Sequence, residues 1–258
     1  ALAGTGVLPF TRAQFEANPR QAVVNATDYN TGKEVAQNQI GVVAVHKPDS
    51  TRSVTASAYR GTRDLSNRLS IPLSAQNLAT AAGGIVKLDR TYSGVGLKYN
   101  QKFALEQGQV EATAGMEYEQ MEEDRLGYIN NLGKQGALKR DETGSVSSTG
   151  VFAQASWMPN EHWSVVAGVR SSRVKFGVDD RFIAKGNPDD SGGVKFSAVN
   201  PVLGVTSHLS ESTNLYANVG KGFETPTLTE IAYRTGASGP NLGLRDASSR
   251  HTEVGLKT

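Results

Sequence analysis

The residue types that carry out most protein chemistry are few in this chain. None of its 258 residues is cysteine, which excludes thiol catalysis, disulfide frameworks and cysteine-based zinc sites. No glycine-rich phosphate-binding loop occurs either. The four histidines are His46, His162, His208 and His251. The first three lie beside predicted short turns, so we expect hydrated side chains there, and we predict no catalytic site, no metal and no cofactor.

The charged residues do not indicate an ionic partner. Lys and Arg number 27 against 25 Asp and Glu, a net charge of +2, and no basic block dominates any stretch, so we expect no nucleic-acid partner. Asp179-Asp180 and Asp189-Asp190 frame one polar segment and could hold Ca²⁺ through their carboxylates. We interpret that segment as a hydrated acidic loop.

Alternation of apolar and polar residues with a period of two runs through most of the chain. In residues 109–119 one face is apolar and the other carries carboxylates, which need water and cannot pack into a dry core. The apolar face consists of Val110, Ala112, Ala114, Met116 and Tyr118, and the other face carries Glu111, Glu117 and Glu119. Similar patterns predict about nine strands, at 37–46, 51–63, 86–100, 108–121, 143–158, 162–178, 193–207, 212–223 and 249–257.

The connections between these strands alternate in length. Short turns such as Pro159-Asn160-Glu161 alternate with long polar segments, which we predict as loops at about 64–85, 122–142, 179–192 and 224–248. Structureless loops of this length are uncommon in compact soluble domains, but they are usual outside an up-and-down transmembrane β-barrel. The aromatic residues near the short turns, Tyr99, Trp157 and Trp163, fit an interfacial girdle.

The pattern therefore predicts an all-β, antiparallel, up-and-down transmembrane β-barrel. The alternative is a soluble β-sandwich with one wet face per sheet, which explains the alternation but not the order of short and long connections. Bacterial single-chain barrels have even strand numbers, whereas we count nine. We therefore expect an excerpt of a longer barrel, with residues 1–36 as an outer-loop segment, residues 37–258 as alternating strands, turns and loops, and two open edges prone to aggregation.

The segment from Asn214 to Ile231 resembles a signature of TonB-dependent outer-membrane receptors. In that family a strand reaches a Gly-Phe-x-x-Pro-x-Leu-x-Glu element, which an Asn-Pro-Asn-Leu element follows in the outer loop; here the second reads Gly239-Pro240-Asn241-Leu242. Thr252–Lys257 resembles the descending strand. The matching motif residues are Gly222, Phe223, Pro226, Leu228, Glu230, Asn241 and Leu242.

The resemblance implies a 22-stranded barrel in the bacterial outer membrane, filled by a plug that takes energy from the TonB complex. No segment of this chain resembles that plug or its TonB-contacting motif, so we expect the middle of a receptor whose plug is missing. Ferric siderophores are the commonest cargo that the family implies, ahead of cobalamin, copper chelates and carbohydrates. The absence of histidine between Glu224 and Pro240 argues against haem.

Ferric chelates are often anionic and aromatic, so arginines and tyrosines of the outer loops are the expected contacts. The candidates are Arg63, Arg68, Arg125, Tyr128, Arg181, Tyr233 and Arg234. The expected partners are thus a ferric chelate, outer-membrane lipid, the plug and, through it, TonB. A passive porin or a barrel-anchored surface adhesin is the alternative function. A barrel enzyme would need a base at the loop rim, where we place only His251, so we expect no enzyme.

Overall fold

The computed structural model describes residues 11–231, 234 and 239–258. Its strands form a single antiparallel sheet in which each strand pairs only with its neighbours in sequence, so β1 and β9 are open edges. The strands are β1 (Gly32–His46), β2 (Arg52–Arg68), β3 (Ile85–Ala104), β4 (Gln109–Asn131), β5 (Lys134–Asn160), β6 (Trp163–Asp180), β7 (Gly192–His208), β8 (Asn214–Glu224) and β9 (Ala247–Lys257). The all-β, up-and-down prediction is confirmed.

Four short helices accompany the sheet in the part of the chain that the structure describes. They are α1 (Arg12–Ala17), α2 (Val24–Asp28), α3 (Leu73–Gln76) and α4 (Leu228–Ile231). Within the described residues, no helix has both the length and the apolar character needed to cross a membrane.

Several strands extend beyond their predicted bounds, and β2, for example, ends at Arg68 instead of residue 63. β1 begins at Gly32, so residues 32–36 are strand and not loop. Residues 122–142, predicted as a loop, continue β4 and β5 into a tall hairpin that ends in the turn Leu132-Gly133, where φ is +46° and +86°. The hydrophobic alternation stops at about residue 121 because both faces become polar there, whereas the backbone pairing continues to Asn131 with Lys134. Hydropathy alone therefore missed this part of the strands.

Alternate residues of each strand point to opposite sides of the sheet. The outer face, defined by Val95, Met116 and Val151, is apolar on the half of the sheet next to the short turns. The inner face, defined by Glu117, Phe152 and Arg170, is polar at the same level, and there Arg170 pairs with Glu117 at 2.7 Å. The predicted girdle residues stand beside short turns on the outer face and are 41%, 37% and 46% exposed: Tyr99, Trp157 and Trp163.

Aromatic rings on the inner face lie over glycines of the neighbouring strand. Tyr59 covers Gly94, and Phe152 covers Gly115, so that a Cβ at either glycine would overlap the ring. Glycine weakens a strand interior, but an aromatic ring across the strand pair fills the missing side chain. These pairs explain why glycines recur on a face that must hold large side chains.

The short turns are held by their own side chains. Asp49 accepts hydrogen bonds from the hydroxyl of Thr51 (2.6 Å), the guanidinium of Arg52 (2.7 Å) and both backbone amides (2.8 and 2.9 Å). Because these donors favour the carboxylate, Thr51 above all, the pKa of Asp49 lies well below its usual value. These hydrogen bonds hold the conformation of the turn between β1 and β2.

The opposite end of the sheet is joined by the side chain of Asn130. Its amide nitrogen donates to the carbonyls of Tyr29 (2.8 Å) and Leu69 (3.1 Å), and its amide oxygen accepts from Gly133 N (2.8 Å). Gln76 in turn bonds both backbone groups of Asn130. Asn130 and Gln76 are 0% and 1% exposed, so four separate chain segments meet at one buried amide pair.

Candidate ligand-binding site on the inner face

The segment that follows β8 turns over the inner face through a capping box. The hydroxyl of Thr227 accepts from Glu230 N (3.2 Å), while the Glu230 carboxylate accepts from Thr227 N (2.7 Å). This reciprocal pair satisfies two donors at the start of α4. The hydrogen bonds from Thr227 lower the pKa of Glu230, because they favour its ionised form.

The apolar side of α4 packs on the sheet. Leu228 and Ile231 are 8% and 0% exposed and lie against Phe176 of β6 and Phe196 of β7. The two phenylalanine rings meet edge to face, with centroids 5.9 Å apart. Partly buried apolar residues complete this inner cluster: Met121, Val146, Val174, Val194, Phe223, Leu242 and Leu244.

An ion cluster lies beside the inner cluster. The carboxylate of Glu123, 1% exposed, bonds the guanidinium of Arg90 through one oxygen and that of Arg125 through the other, at 3.3 Å for Arg125. Both carboxylate oxygens are thereby used, as burial of a charge requires. Arg140 pairs with Glu142 nearby at 2.5 Å, and burial raises the pKa of Glu142 although the Arg140 charge opposes this.

Arg63 extends this cluster with a further positive charge. It is the cross-strand partner of Arg90, so two cations face each other on neighbouring strands. The Nε of Arg63 is buried and has no hydrogen-bond partner among the described residues. A hollow of about 410 Å³ opens beside it on the inner face, and Tyr59 and Tyr92 form part of its wall.

The tyrosines of this hollow are held in place by hydrogen bonds. Tyr92 donates to the side chain of Gln39 (2.9 Å) and accepts from Gln37 (3.1 Å). Tyr59 donates to the carboxylate of Glu119 (2.7 Å). The hollow is thus aromatic and bounded by guanidinium groups, and it suits a small anion that carries aromatic or hydroxyl groups.

A model of the family "TonB dependent receptor-like, beta-barrel" matches residues 4–258. The chain belongs to this family. The family resemblance inferred from the motifs is therefore confirmed. The family is one of receptors and transporters.

Several solved structures share the fold. The ferric citrate transporter FecA superposes with a TM-score of 0.73 at 19% identity, covering 95% of this chain and 35% of FecA. The ferric-catecholate import receptor Fiu from E. coli K12 gives 0.67 at 11% identity, with 95% and 42% covered. The siderophore receptor PiuA from Acinetobacter baumannii gives 0.67 at 12%, with 88% and 38% covered. The chain thus spans between 35% and 42% of these three proteins.

Among the described residues, the structure brings two of the predicted contact residues together. Arg63 and Arg125 stand on either side of the Arg90–Glu123 pair. Arg68 pairs instead with Glu34 at 2.6 Å. Arg181 bonds Asp141 at 2.6 Å on the outer face.

The other predicted contacts are dispersed. Tyr128 lies at a shift in the register of β4 and β5, with the Lys87 ammonium 5.4 Å from its ring centroid. Arg234 is exposed, and Tyr233 lies outside the described residues. No group of three or more His, Asp or Glu able to hold a metal occurs in the described part of the chain.

Sequence reasoning did not select Arg90, Glu123, Tyr59 or Tyr92. It searched the predicted loops, whereas Arg90 and both tyrosines belong to predicted strands. The sequence did contain one indication. Arg90 and Tyr92 are alternate residues of the same strand as Gly94, so all three side-chain positions lie on the inner face. Which strand positions stand opposite Arg63 follows from the register of β2 with β3, and hydropathy does not determine it.

Proposed function

We propose that this chain is part of the wall of an outer-membrane importer energised through TonB, and that its cargo is an anionic ferric chelate of the siderophore type. The observation that carries the proposal is that Arg63 and its cross-strand partner Arg90 both line a hollow on the inner face whose wall includes Tyr59 and Tyr92. FecA, Fiu and PiuA are named as a ferric citrate transporter, a ferric-catecholate import receptor and a siderophore receptor, which supports iron chelates as the cargo class.

The charges around the hollow favour an anion. Arg63, Arg90 and Arg125 supply three cations, whereas Glu119 and Glu123 supply two carboxylates, and Glu123 already binds two of the guanidinium groups. A hydrogen bond between a guanidinium and a ligand carboxylate or catecholate is charge-assisted and short. Arg63 is therefore the residue we expect to bind the chelate.

The position of the hollow fits ligand entry. It lies on the inner face above the apolar band of the outer face and next to the segment that carries α4. A chelate held there would be at the mouth of the lumen. A plug domain energised by TonB would then have to rearrange below it before transport, and this chain would act as the fixed wall against which that movement takes place.

Uptake of ⁵⁵Fe by cells with the intact protein tests this proposal. Arg63→Gln is expected to raise the apparent KM for an anionic chelate about tenfold or more, since a hydrogen bond to a charged group contributes about 1.5–3 kcal/mol. The KM for a neutral hydroxamate chelate should change little. Arg68→Gln is the matched control, because it removes the same charge from the same strand where Arg68 already pairs with Glu34.

Two results would contradict the proposal. Cells that lack the whole gene could grow under iron starvation as well as the wild type on every chelate supplied, which would count against iron import itself. Alternatively, Arg63→Gln and Arg68→Gln could alter uptake of the anionic chelate equally, which would remove the binding role of the hollow.

A further inference from the structure

The guanidinium of Arg90 is held by a carboxylate that lies outside the hollow. The Nε and Nη2 atoms of Arg90 both donate to Oε2 of Glu123, at 2.8 Å for Nε. The other oxygen of Glu123 accepts from Nη2 of Arg125 at 3.3 Å. Among the described residues, Arg90 lines the hollow of about 410 Å³ and Glu123 does not. Glu123 can therefore act on a bound chelate only through Arg90 or through its own charge.

The contact with Glu123 determines which edge of the Arg90 guanidinium faces the hollow. A guanidinium is planar and presents its donors in a fixed fork, so a carboxylate that takes Nε and Nη2 leaves Nη1 pointing away from it. Arg63 stands opposite Arg90 across β2 and β3 and lines the same hollow. A small anion at this place receives donors from both guanidinium groups, provided that Arg90 keeps its orientation.

The position beside Arg63 is an unfavourable one for Arg90. Like charges directly opposite each other on neighbouring strands repel. A long, flexible side chain in such a position would turn towards water, where the repulsion is screened. Glu123 is the cross-strand partner of Arg90 on β4, on the side away from Arg63, and its carboxylate keeps Arg90 in place.

The hold of Glu123 on Arg90 is strengthened by burial. The side chain of Glu123 is 1% exposed, whereas that of Arg90 is 25% exposed and reaches the hollow. The cross-strand partner of Glu123 on β5 is Gly144, and Leu228 of α4 lies over it, 3.0 Å from the place of a Cβ. Ion pairs that water reaches poorly are screened less than pairs at the surface. The buried end of this pair therefore fixes its exposed end.

We propose that Glu123 is a positioning residue for the anionic cargo, because it holds Arg90 in the orientation in which Arg90 and Arg63 bind one anion together. The inference deepens the proposed function and rests on it, since both concern the same hollow. The carboxylate has two opposite effects. Its charge repels an approaching anion and slows association. Its hold on Arg90 removes the cost of ordering that side chain in the complex and slows dissociation.

Rapid-mixing kinetics with the intact protein in a non-ionic detergent measures the two effects separately. The probes are ferric citrate and the ferric complex of 2,3-dihydroxybenzoate, both anionic. Glu123→Gln is expected to raise kon, because a negative charge is lost, and to raise koff about fivefold, the factor that corresponds to ordering one long side chain. Glu123→Asp keeps the charge but shortens the reach, so koff should rise while kon stays unchanged. The aspartate variant also serves if the glutamine variant fails to fold.

Glu117→Gln is the matched control. Glu117 lies on the same strand and the same face, further from the hollow, and pairs with Arg170 at 2.7 Å. Its replacement removes the same charge and breaks the same kind of pair without touching Arg90, so koff should stay unchanged. In an Arg90→Gln background, Glu123→Gln should not change koff further, because the side chain that it positions is gone.

Chemical modification tests the positioning without any chelate. Phenylglyoxal reacts with two nitrogens of a guanidinium, so the contact with Glu123 protects Arg90. The modification rate of Arg90, followed by peptide mass spectrometry, should rise about tenfold in Glu123→Gln, the factor that corresponds to the loss of one charge-assisted hydrogen bond. It should also rise in Glu123→Asp. In Glu117→Gln the rate should rise at Arg170 and stay unchanged at Arg90.

Three outcomes would overturn the inference. Glu123→Gln could lower koff, which would leave the carboxylate with a repulsive role alone. Glu117→Gln could raise koff as much as Glu123→Gln does, which would indicate a general effect of charge. Arg90 could be modified at one rate in the wild type and in both Glu123 variants, which would mean that Glu123 does not hold it. A wild type that binds neither probe would contradict the proposed function, and the modification rates would still decide the role of Glu123.

Discussion

Replacement of Ile231 by alanine should release the segment of α4 from the sheet. Ile231 is 0% exposed and packs in the inner cluster with Phe176 and Phe196. Truncation of a fully buried isoleucine to alanine costs 2–5 kcal/mol, and about 3 kcal/mol is a reasonable value where the segment can relax towards solvent. If that energy falls on the local opening of α4, the open population rises about 150-fold.

Hydrogen exchange followed by mass spectrometry measures this opening directly. Two amides report on it, since Ile231 N donates to Thr227 O (3.0 Å) and Asn241 N donates to Ile231 O (2.5 Å). Their protection should fall by about two orders of magnitude in Ile231→Ala, while protection in β2 and β3 stays unchanged. Ile183→Ala is the matched control, because Ile183 is 61% exposed and its truncation should change local stability by less than about 0.5 kcal/mol.

Equal protection in the two variants would refute the reasoning. It would mean that the packing of α4 on Phe176 and Phe196 contributes nothing to the stability of the segment. A loss of protection throughout the sheet would contradict the assumption that the opening is local. The inner cluster would then stabilise the strands as well as the segment that carries α4.

Two further predictions concern a carboxylate and a turn. Because the folded pKa of Glu230 is lowered from 4.5, its contribution to the capping box is complete above that value and is lost as the pH falls through the lower folded pKa. Protection factors in α4 should therefore decrease in acid in the wild type and show no such dependence in Glu230→Gln; an identical pH dependence in both would contradict this. Gly108→Ala should destabilise the β3–β4 turn by about 2 kcal/mol or more in denaturant unfolding, since φ is +82° and a Cβ would overlap the Met158 carbonyl. Gly32→Ala, where no atom lies within 4 Å of the added Cβ, should be neutral, and similar midpoints for the two variants would contradict the turn argument.

The half of the fold next to the short turns could be predicted from the sequence because its two faces differ regularly in polarity. The outer-face positions there are mainly apolar, so the alternation in β4 and β6 is visible in the residues themselves. The alternation is lost where the apolar band of the outer face ends. Above residue 121 both faces of β4 are polar, hydropathy no longer reports the pairing, and only the register reveals the strand.

The candidate site was predictable only in part for a similar reason. Arg63 lies at the end of a predicted strand. The sequence indicated its charge but not which residues lie next to it. Its relation to Arg90 and Tyr92 depends on which residues of β3 stand opposite β2, which is a long-range fact. The motif around Leu228 was recognisable as a family feature, but its packing on Phe176 and Phe196 requires the tertiary fold.

The buried Asn130 has a consequence for anyone who exchanges pieces of this protein with a homologue. Tyr29, Leu69, Gln76 and the tip of the tall hairpin all depend on the same amide pair. Replacement of the hairpin by one with a different residue at this position would leave the carbonyls of Tyr29 and Leu69 without their donor. The three neighbouring segments and the hairpin therefore form one module for chimaera design, and its natural variation should occur jointly rather than site by site.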